Sequence, residues 1–327
     1  MKRKTKNNIY KLIIIVVIII GAIFSKDYLN YDKNDEAINN LNSKSSVTTS
    51  EENPLINVDG NLQIHFIDVG QADSILIKQD NNYMLIDGGN NEDGDMLVKY
   101  LKEQGVEKLD YIIATHPHED HIGGLDDVLN EFDTDLVLMP DKITTTKTFE
   151  DFLLAIKNRQ DTKNKNGENV TLKKVPKLEE KYNLGNASFV IYAPNSSSYD
   201  ELNNYSIVIK LSFGNNTFLF TGDAEKLSEK EMLDKNYDLK ADVLKIGHHG
   251  SSTSTSDEFL EAVSPKYAVL SVGEDNSYNL PKKTVMDKFK NNNIPVYRTD
   301  EQGTIILNSD GTNITFNKEA GTYSYMK

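Results

Sequence analysis

Beginning at about Asn61, short β-branched apolar runs alternate with Asn, Asp and Gly punctuation. Residues 62–69, 74–78 and 83–86 therefore read as a meander of strands. A helical pattern over 95–104 gives way to an apolar strand at 109–115, a helix after Gly123-Gly124 and a further strand at 136–139. The stretch 158–186 is polar and Lys-rich, which predicts a surface excursion with little structure of its own. Strand texture returns at 187–193, 206–213 and 217–221, the last two forming a hairpin around Gly214-Asn215-Asn216. Helix 226–233, strand 242–246, helix 257–263, strand 267–272 and helix 284–291 follow, and strands at 304–307 and 313–316 end the chain. The second half repeats the order of the first without any residue-level repeat. Strands followed by alternating helices and strands predict an α/β fold in which two sheets pack together with helices outside.

The N-terminus departs from this texture. Lys2, Arg3, Lys4, Lys6 and Lys11 precede an apolar run over 12–24 that ends in Ser25-Lys26-Asp27. Basic residues followed by a short apolar core predict, over 1–26, either a signal peptide or a single membrane anchor with its basic end in the cytoplasm. Residues 27–58 are rich in Asn, Asp, Ser and Thr and predict a flexible linker. Residues 59–327 are then expected to form one domain, lying outside the membrane or secreted.

Composition narrows the chemistry. The 327 residues are 38% hydrophobic and 26% charged, which excludes a polytopic membrane protein. With no cysteine, there is no disulfide framework, thiolate metal site or cysteine-based partner. The formal charge is −14, and setting aside the five basic residues of the leader leaves −19. That balance disfavours a long polyanion held by bulk electrostatics, but bound dications can reverse the sign of a local pocket.

Five of the six histidines fall into two clusters, His116, His118 and His121, then His248 and His249. The first cluster follows an apolar strand, where α/β proteins place their sites. In a turn leaving a strand, His116 and His118 can face one ion while Asp120 and His121 face a second. Imidazole and carboxylate suit Zn²⁺ and its neighbours, and Mn²⁺ suits a site with two carboxylates and several waters. Asp223, at the end of another strand in Thr221-Gly222-Asp223, is the candidate bridge between two such ions, with Gly222 permitting a tight turn. Either His248 or His249 could complete the set. Asn203, Asn204 and Ser251 could orient a substrate or serve as turn and cap residues. The isolated His65 reads as structural.

His116 to Gly124 resembles the His-x-His-x-Asp-His motif of the metallo-β-lactamase superfamily. The wider pattern is similar to its ComEC/Rec2-like competence branch: Phe66-Ile67-Asp68-Val69-Gly70-Gln71-Ala72-Asp73, Leu85-Ile86-Asp87-Gly88-Gly89, Asn204-Tyr205-Ser206, Phe220-Thr221-Gly222-Asp223 and His248-His249-Gly250-Ser251. The resemblance implies an αββα sandwich and two divalent metal ions, Zn or Mn. Carried across, it implies His116 and His118 on the first ion, Asp120 and His121 on the second and Asp223 between them. Teichoic-acid phosphorylcholine esterases share the paired histidines; by that likeness His249 is the last ligand and His248 faces substrate, while Asn204 and Ser251 remain substrate-binding candidates on the residues' own reading. Three departures stand out. No histidine occurs over 122–222, Gln71-Ala72-Asp73 replaces the usual Gln-Gly-Asp, and Asn279-Leu280-Pro281 stands where branch members often have His-Pro.

The implied reaction is hydrolysis of a phosphodiester, with Asp120 and Asp223 beside the attacking water and His248 at the leaving oxygen. The expected substrate is extracellular DNA or a wall polymer, met by a domain that is tethered through its single apolar segment or released. A phosphorylcholine-esterase-like activity is the alternative. A silent binding domain and a β-lactamase stand behind both.

Overall fold

The computed structural model describes residues 60–160 and 172–325. The leader and linker expected at 1–26 and 27–58 lie outside the described residues, as do 161–171, which belong to the expected polar excursion. Among the described residues no helix is long and apolar enough to cross a membrane.

Two sheets face each other. The first has the order β15-β14-β1-β2-β3-β4-β5-β6, the second β13-β12-β11-β10-β9-β8-β7. In the first, β1 (Leu62–Phe66), β2 (Ile75–Gln79) and β3 (Asn82–Ile86) form an antiparallel meander, and β4 (Lys108–Ile113), β5 (Asp133–Leu138) and β6 (Lys173–Lys174) continue it in parallel. The second repeats the scheme. There β7 (Lys181–Leu184), β8 (Ala187–Ala193), β9 (Val208–Phe213) and β10 (Asn216–Phe220) are antiparallel, and β11 (Val243–Lys245), β12 (Tyr267–Leu270) and β13 (Val296–Arg298) are parallel. The last strands, β14 (Ile305–Ser309) and β15 (Ile314–Phe316), return to the first sheet beside β1.

Parallel neighbours require crossovers, and helices supply them. Helices α1 (Gly94–Glu103), α2 (Glu119–Ile122), α3 (Leu125–Glu131) and α4 (Lys147–Gln160) belong to the first half; α5 (Lys226–Asp234), α6 (Asp257–Val263), α7 (Lys283–Asn291) and α8 (Thr299–Gln302) belong to the second. Along β2, Ile75 and Ile77 enter the core between the sheets while Leu76 enters the core under the helices, as the two-residue period of a strand requires. Phe66 stacks on Phe220 across the inter-sheet core with ring centroids 6.3 Å apart. Leu97, Leu125 and Phe152 cover the outer face of the first sheet; Leu219, Phe259 and Phe289 belong to the outer core of the second. The αββα sandwich expected from the sequence is thus the observed fold.

Some elements differ from the sequence reading. The excursion over 158–186 was expected to hold little structure, yet it contains β6 and β7, and Leu184 is buried in the inter-sheet core. Its polar residues alternate with buried ones, the usual appearance of an edge strand. Helix α4, unassigned by the hydropathy pattern, buries Phe149, Phe152 and Ile156 against the first sheet. Strand β13 escaped notice because it is three residues long and ends in Arg298, whose guanidinium is satisfied by Asp300 at 2.7 and 3.0 Å.

Candidate metal centre

The candidate metal ligands and Asp87 follow the carboxyl ends of strands: Asp87 after β3, His116 to His121 after β4, Asp223 after β10, His248 and His249 after β11. Beyond Ile113 the β4 backbone stops pairing as a regular strand, and Thr115 N–H donates to Asp87 Oδ1 at 2.8 Å. Thr115 Oγ1 donates to Asp87 Oδ2 at 2.7 Å, and His121 Nδ1 lies 2.8 Å from the same oxygen. One buried carboxylate therefore orients both the start of the motif and its last histidine. Gly123 is indispensable to this folding, because a Cβ there would stand 2.2 Å from the backbone carbon of Asn90. Gly222 has φ +49°, a left-handed turn that a side chain would strain. That turn aims Asp223 inward, and Asp223 N–H donates to Ser206 Oγ at 3.1 Å. Ser206 Oγ is also 3.3 Å from His116 Nδ1, joining the two halves of the site.

The paired histidines separate because His248 and His249 both adopt left-handed backbone, with φ 51° and 50°. Consecutive non-glycine residues in that region cost about 1–3 kcal/mol each and persist only where surrounding structure holds them. The consequence is that the two rings go different ways. His249 is 1% exposed; its Nδ1 donates to the Ser271 carbonyl at 3.0 Å, leaving Nε2 facing Asp120 Oδ2 at 3.5 Å and Asp223 Oδ2 at 3.8 Å. The His248 ring is a quarter exposed, with Nδ1 2.9 Å from Thr253 Oγ1 and Nε2 3.6 Å from Asp223 Oδ2.

The donor atoms of Asp120, His121, Asp223 and His249 lie within 4.8 Å of one another. His121 Nε2 is 3.3 Å from Asp223 Oδ2. Beside them, His116 Nε2 lies 2.9 Å from His118 Nδ1. His121 Nε2, His249 Nε2 and Asp223 Oδ1 are buried without a hydrogen-bond partner among the described residues. Buried polar atoms without partners are rare, and here the two ring nitrogens both face Asp223 Oδ2, at 3.3 and 3.8 Å. Both rings are tied back through Nδ1, the arrangement by which outer partners fix a metal-binding imidazole. The residues fit a divalent cation held by nitrogen and oxygen.

Electrostatics point the same way. Burial alone would push His121 down, but Asp223, Asp120 and Asp87 raise it well above its ordinary value. For His249 burial again opposes, and Asp223 and Asp73 win. Burial would raise Asp223 and Asp120, yet the neighbouring histidines hold both below the usual carboxylate range. His116 and His118 are instead lowered, first by burial. The carboxylate-rich side demands positive charge, which a dication supplies with greater density than imidazolium.

Of the expected substrate residues, Asn204 proves otherwise engaged. Its Oδ1 accepts from the backbone N–H groups of Glu225 and Ser228 and thereby secures the start of α5. Ser251 Oγ pairs with Thr253 Oγ1 at 3.1 Å, within the turn that follows the paired histidines. Asn203 is the neighbour that reaches the site: its Nδ2 is 3.4 Å from His248 Nδ1, and its Oδ1 is buried without a hydrogen-bond partner among the described residues. Asp87 entered the sequence reading only as part of a motif, although an acidic residue ending an apolar strand is the signal that singled out Asp223. His65, as expected, is buried away from the site, with Nδ1 2.8 Å from Tyr100 Oη.

A cavity of about 490 Å³ opens beside Asp120, lined by Asp68, Gln71, Asn90, Glu92, Glu119 and Tyr278 among others. Among the described residues no Lys or Arg lines it.

Among known proteins, this chain is 30% identical over 261 residues to ComE operon protein 3 of Bacillus subtilis, covering 74% of this chain and 32% of that protein. It is 27% identical over 251 residues to Recombination protein 2 of Haemophilus influenzae, covering 75% and 29%. The chain thus spans about a third of the length of these curated relatives. Among solved structures, a mutant CmlA beta-hydroxylase superposes with TM-score 0.51 at 13% identity, over 75% of this chain and 53% of that one, which supports the fold. Residues 67–274 match the Metallo-beta-lactamase superfamily, whose members are usually metal-dependent hydrolases. With that match spanning both histidine clusters and Asp223, the chain belongs to the metallo-β-lactamase superfamily, and its relatives place it beside the ComEC/Rec2-like competence proteins.

Proposed function

We propose that this protein is a binuclear metal-dependent phosphodiesterase whose domain acts outside the cytoplasm. The observation that carries the reading is that His121 Nε2 and His249 Nε2, buried and without hydrogen-bond partners among the described residues, face Asp223 Oδ2 at 3.3 and 3.8 Å beside Asp120. In this reading His116 and His118 hold one ion, Asp120, His121 and His249 the other, and Asp223 lies between them. Two divalent ions, Zn²⁺ or Mn²⁺, would supply Lewis-acid polarisation of a phosphoryl oxygen and an activated water. Asp120, a third exposed, can accept a hydrogen bond from that water on the open side of the site. His248 is the more exposed ring of the adjacent pair, and its contact with Thr253 Oγ1 leaves Nε2 turned towards Asp223 and available to a leaving oxygen. Asn203 is placed to orient substrate between His118 and His248, replacing Asn204 in that role.

DNA is the substrate that the likeness to competence proteins supports. The cavity beside Asp120 favours a second reading. Its carboxylate lining repels a long polyanion and suits a phosphodiester bearing a cationic group, such as a choline-bearing wall polymer. The basic-then-apolar leader supports placement at the cell surface, by anchor or secretion.

The test is metal analysis of the full chain followed by hydrolysis of a bis-aryl phosphodiester with and without chelator. Two ions per chain and a chelator-sensitive rate abolished in Asp120→Ala are expected. A metal-free protein, or a rate indifferent to chelator and to that substitution, sinks the proposal. Competition between single-stranded DNA and choline-bearing teichoic acid then separates the substrates, and protease accessibility in intact cells tests the location.

A further inference from the structure

Strand β11 carries a charge where its neighbours are apolar. Lys245 lies between Leu244 and Ile246, its side chain 1% exposed, and its ammonium donates to Asp73 Oδ2 at 2.9 Å and to the Ile246 carbonyl at 3.1 Å. Asp73 is equally buried and comes from the loop between β1 and β2, so the pair joins a loop of the first sheet to a strand of the second. Buried ion pairs lose their solvation, and an apolar pair of similar volume is often as stable or more so. Stability by itself does not account for this one.

Asp73 meets the candidate site on several sides. Its backbone N–H donates to the Asp120 carbonyl at 3.1 Å, and its own carbonyl accepts from Gly89 N–H at 2.9 Å. The carboxylate oxygen that Lys245 leaves free, Oδ1, has no hydrogen-bond partner among the described residues and lies 3.5 Å from His249 Nδ1. Donor atoms of Asp73, Asp87 and His121 also gather within 4.8 Å of one another. Asp73 therefore stands behind His249 at 3.5 Å, a looser contact than the 2.8 Å hydrogen bond of Asp87 to His121, because the His249 Nδ1 proton goes to the Ser271 carbonyl. A second difference is that Asp87 is held by Thr115 of its own sheet, whereas Asp73 is held by a lysine from the opposite one.

We infer that Asp73 and Lys245 are a positioning pair for the metal centre: Lys245 pins the Asp73 carboxylate so that its free oxygen backs the His249 ring while its backbone fixes Asp120. The inference rests on the metal-dependent reading above. It assigns the pair to ligand placement, not to holding the sheets together.

The experiment measures Zn²⁺ affinity of the full chain by competition with a chromophoric chelator, alongside the thermal midpoint of the chelated protein. Wild-type protein that binds no Zn²⁺ or Mn²⁺ removes the metal-dependent reading and this inference with it; wild-type binding leaves the variants to judge the inference alone. Asp73→Asn keeps an acceptor for Lys245, and its Zn²⁺ affinity is expected to fall roughly 10–100-fold, the usual cost of losing an outer partner of a ligand. The double variant Asp73→Asn with Lys245→Met removes the buried charges together. It is expected to recover a thermal midpoint near that of wild type while its affinity stays at least about tenfold weaker. Affinity within threefold of wild type in Asp73→Asn overturns the inference, as does a double variant that regains stability and affinity together. Should the double variant fail to fold, Asp73→Asn alone decides.

Discussion

The two halves of the chain meet at the site, and they deliver their residues by different means. The first, in the loop leaving β4, packs His116, His118, Asp120 and His121 into six consecutive residues, and a short helix with glycines behind it sets their directions. The second half delivers Asp223 and His249 singly, from the ends of two different strands, through left-handed backbone at Gly222, His248 and His249. A local motif can be read from spacing because its geometry is that of one turn. The opposing residues are brought in only by the pairing of β10 with β11 and by the packing of the two sheets. The first half's residues are thus placed by sequence proximity, and the second's by backbone strain that the fold must hold.

The comparison breaks most sharply at the residue placed between the two halves. Asp223→Asn is expected to lose bound metal and to lower turnover of a bis-aryl phosphodiester by on the order of 10³-fold, since several kcal/mol of charge stabilisation go with the ions. Metal content and rate retained together would show that the second half contributes nothing essential. Next come the paired histidines. His248→Ala is expected to keep its full metal content and lose roughly 10²–10⁴-fold in rate, whereas His249→Ala loses an ion. Equal metal loss in both would mean that the opposite directions of the two rings do not separate their roles.

His65 offers a contrast between a structural histidine and those of the site. Burial first, with Lys78 adding to it, pushes His65 down to about 4. The unfolded chain then takes up a proton near pH 6.5 that the folded protein refuses until about 4. Stability is therefore full above about 6.5 and is lost as pH falls towards 4. Between pH 7 and 5 the loss should approach about 2 kcal/mol, and in the chelated protein His65→Leu should flatten the urea-unfolding curve against pH by that amount. An unchanged slope would refute the assignment. The smallest effect concerns backbone strain. In chelated protein, His248→Gly should be more stable than His248→Ala by about 1 kcal/mol, because glycine adopts φ near +50° without steric cost. Equal stabilities would mean that the turn is not strained.

Much of this was legible in the chain. The alternating runs located most strands, Gly214 marked the β9–β10 hairpin, and the clustering of His116, His118 and His121 marked the site. What escaped notice escaped for physical reasons. Helix α4 mixes its buried Phe149, Phe152 and Ile156 with Lys, Glu and Asp in a weakly amphipathic pattern. Asn204 and Asn203 are adjacent and alike, and only the start of α5 shows which one is consumed as a cap. The partners Asp73 and Lys245 carried no signal of their own, because a buried charge is recognised by what surrounds it and each lies 172 residues from the other.

The sequence by itself determined the αββα sandwich, the repeated order of the two halves and the nitrogen-and-oxygen character of the site, since each follows from periodicity and residue type along a short stretch. Only the tertiary structure decided which of two neighbouring histidines turns inward and which carboxylates stand behind the rings. Those choices depend on the left-handed turn after β11 and on the meeting of two sheets, where residues far apart in the chain lose their solvent together and must satisfy one another.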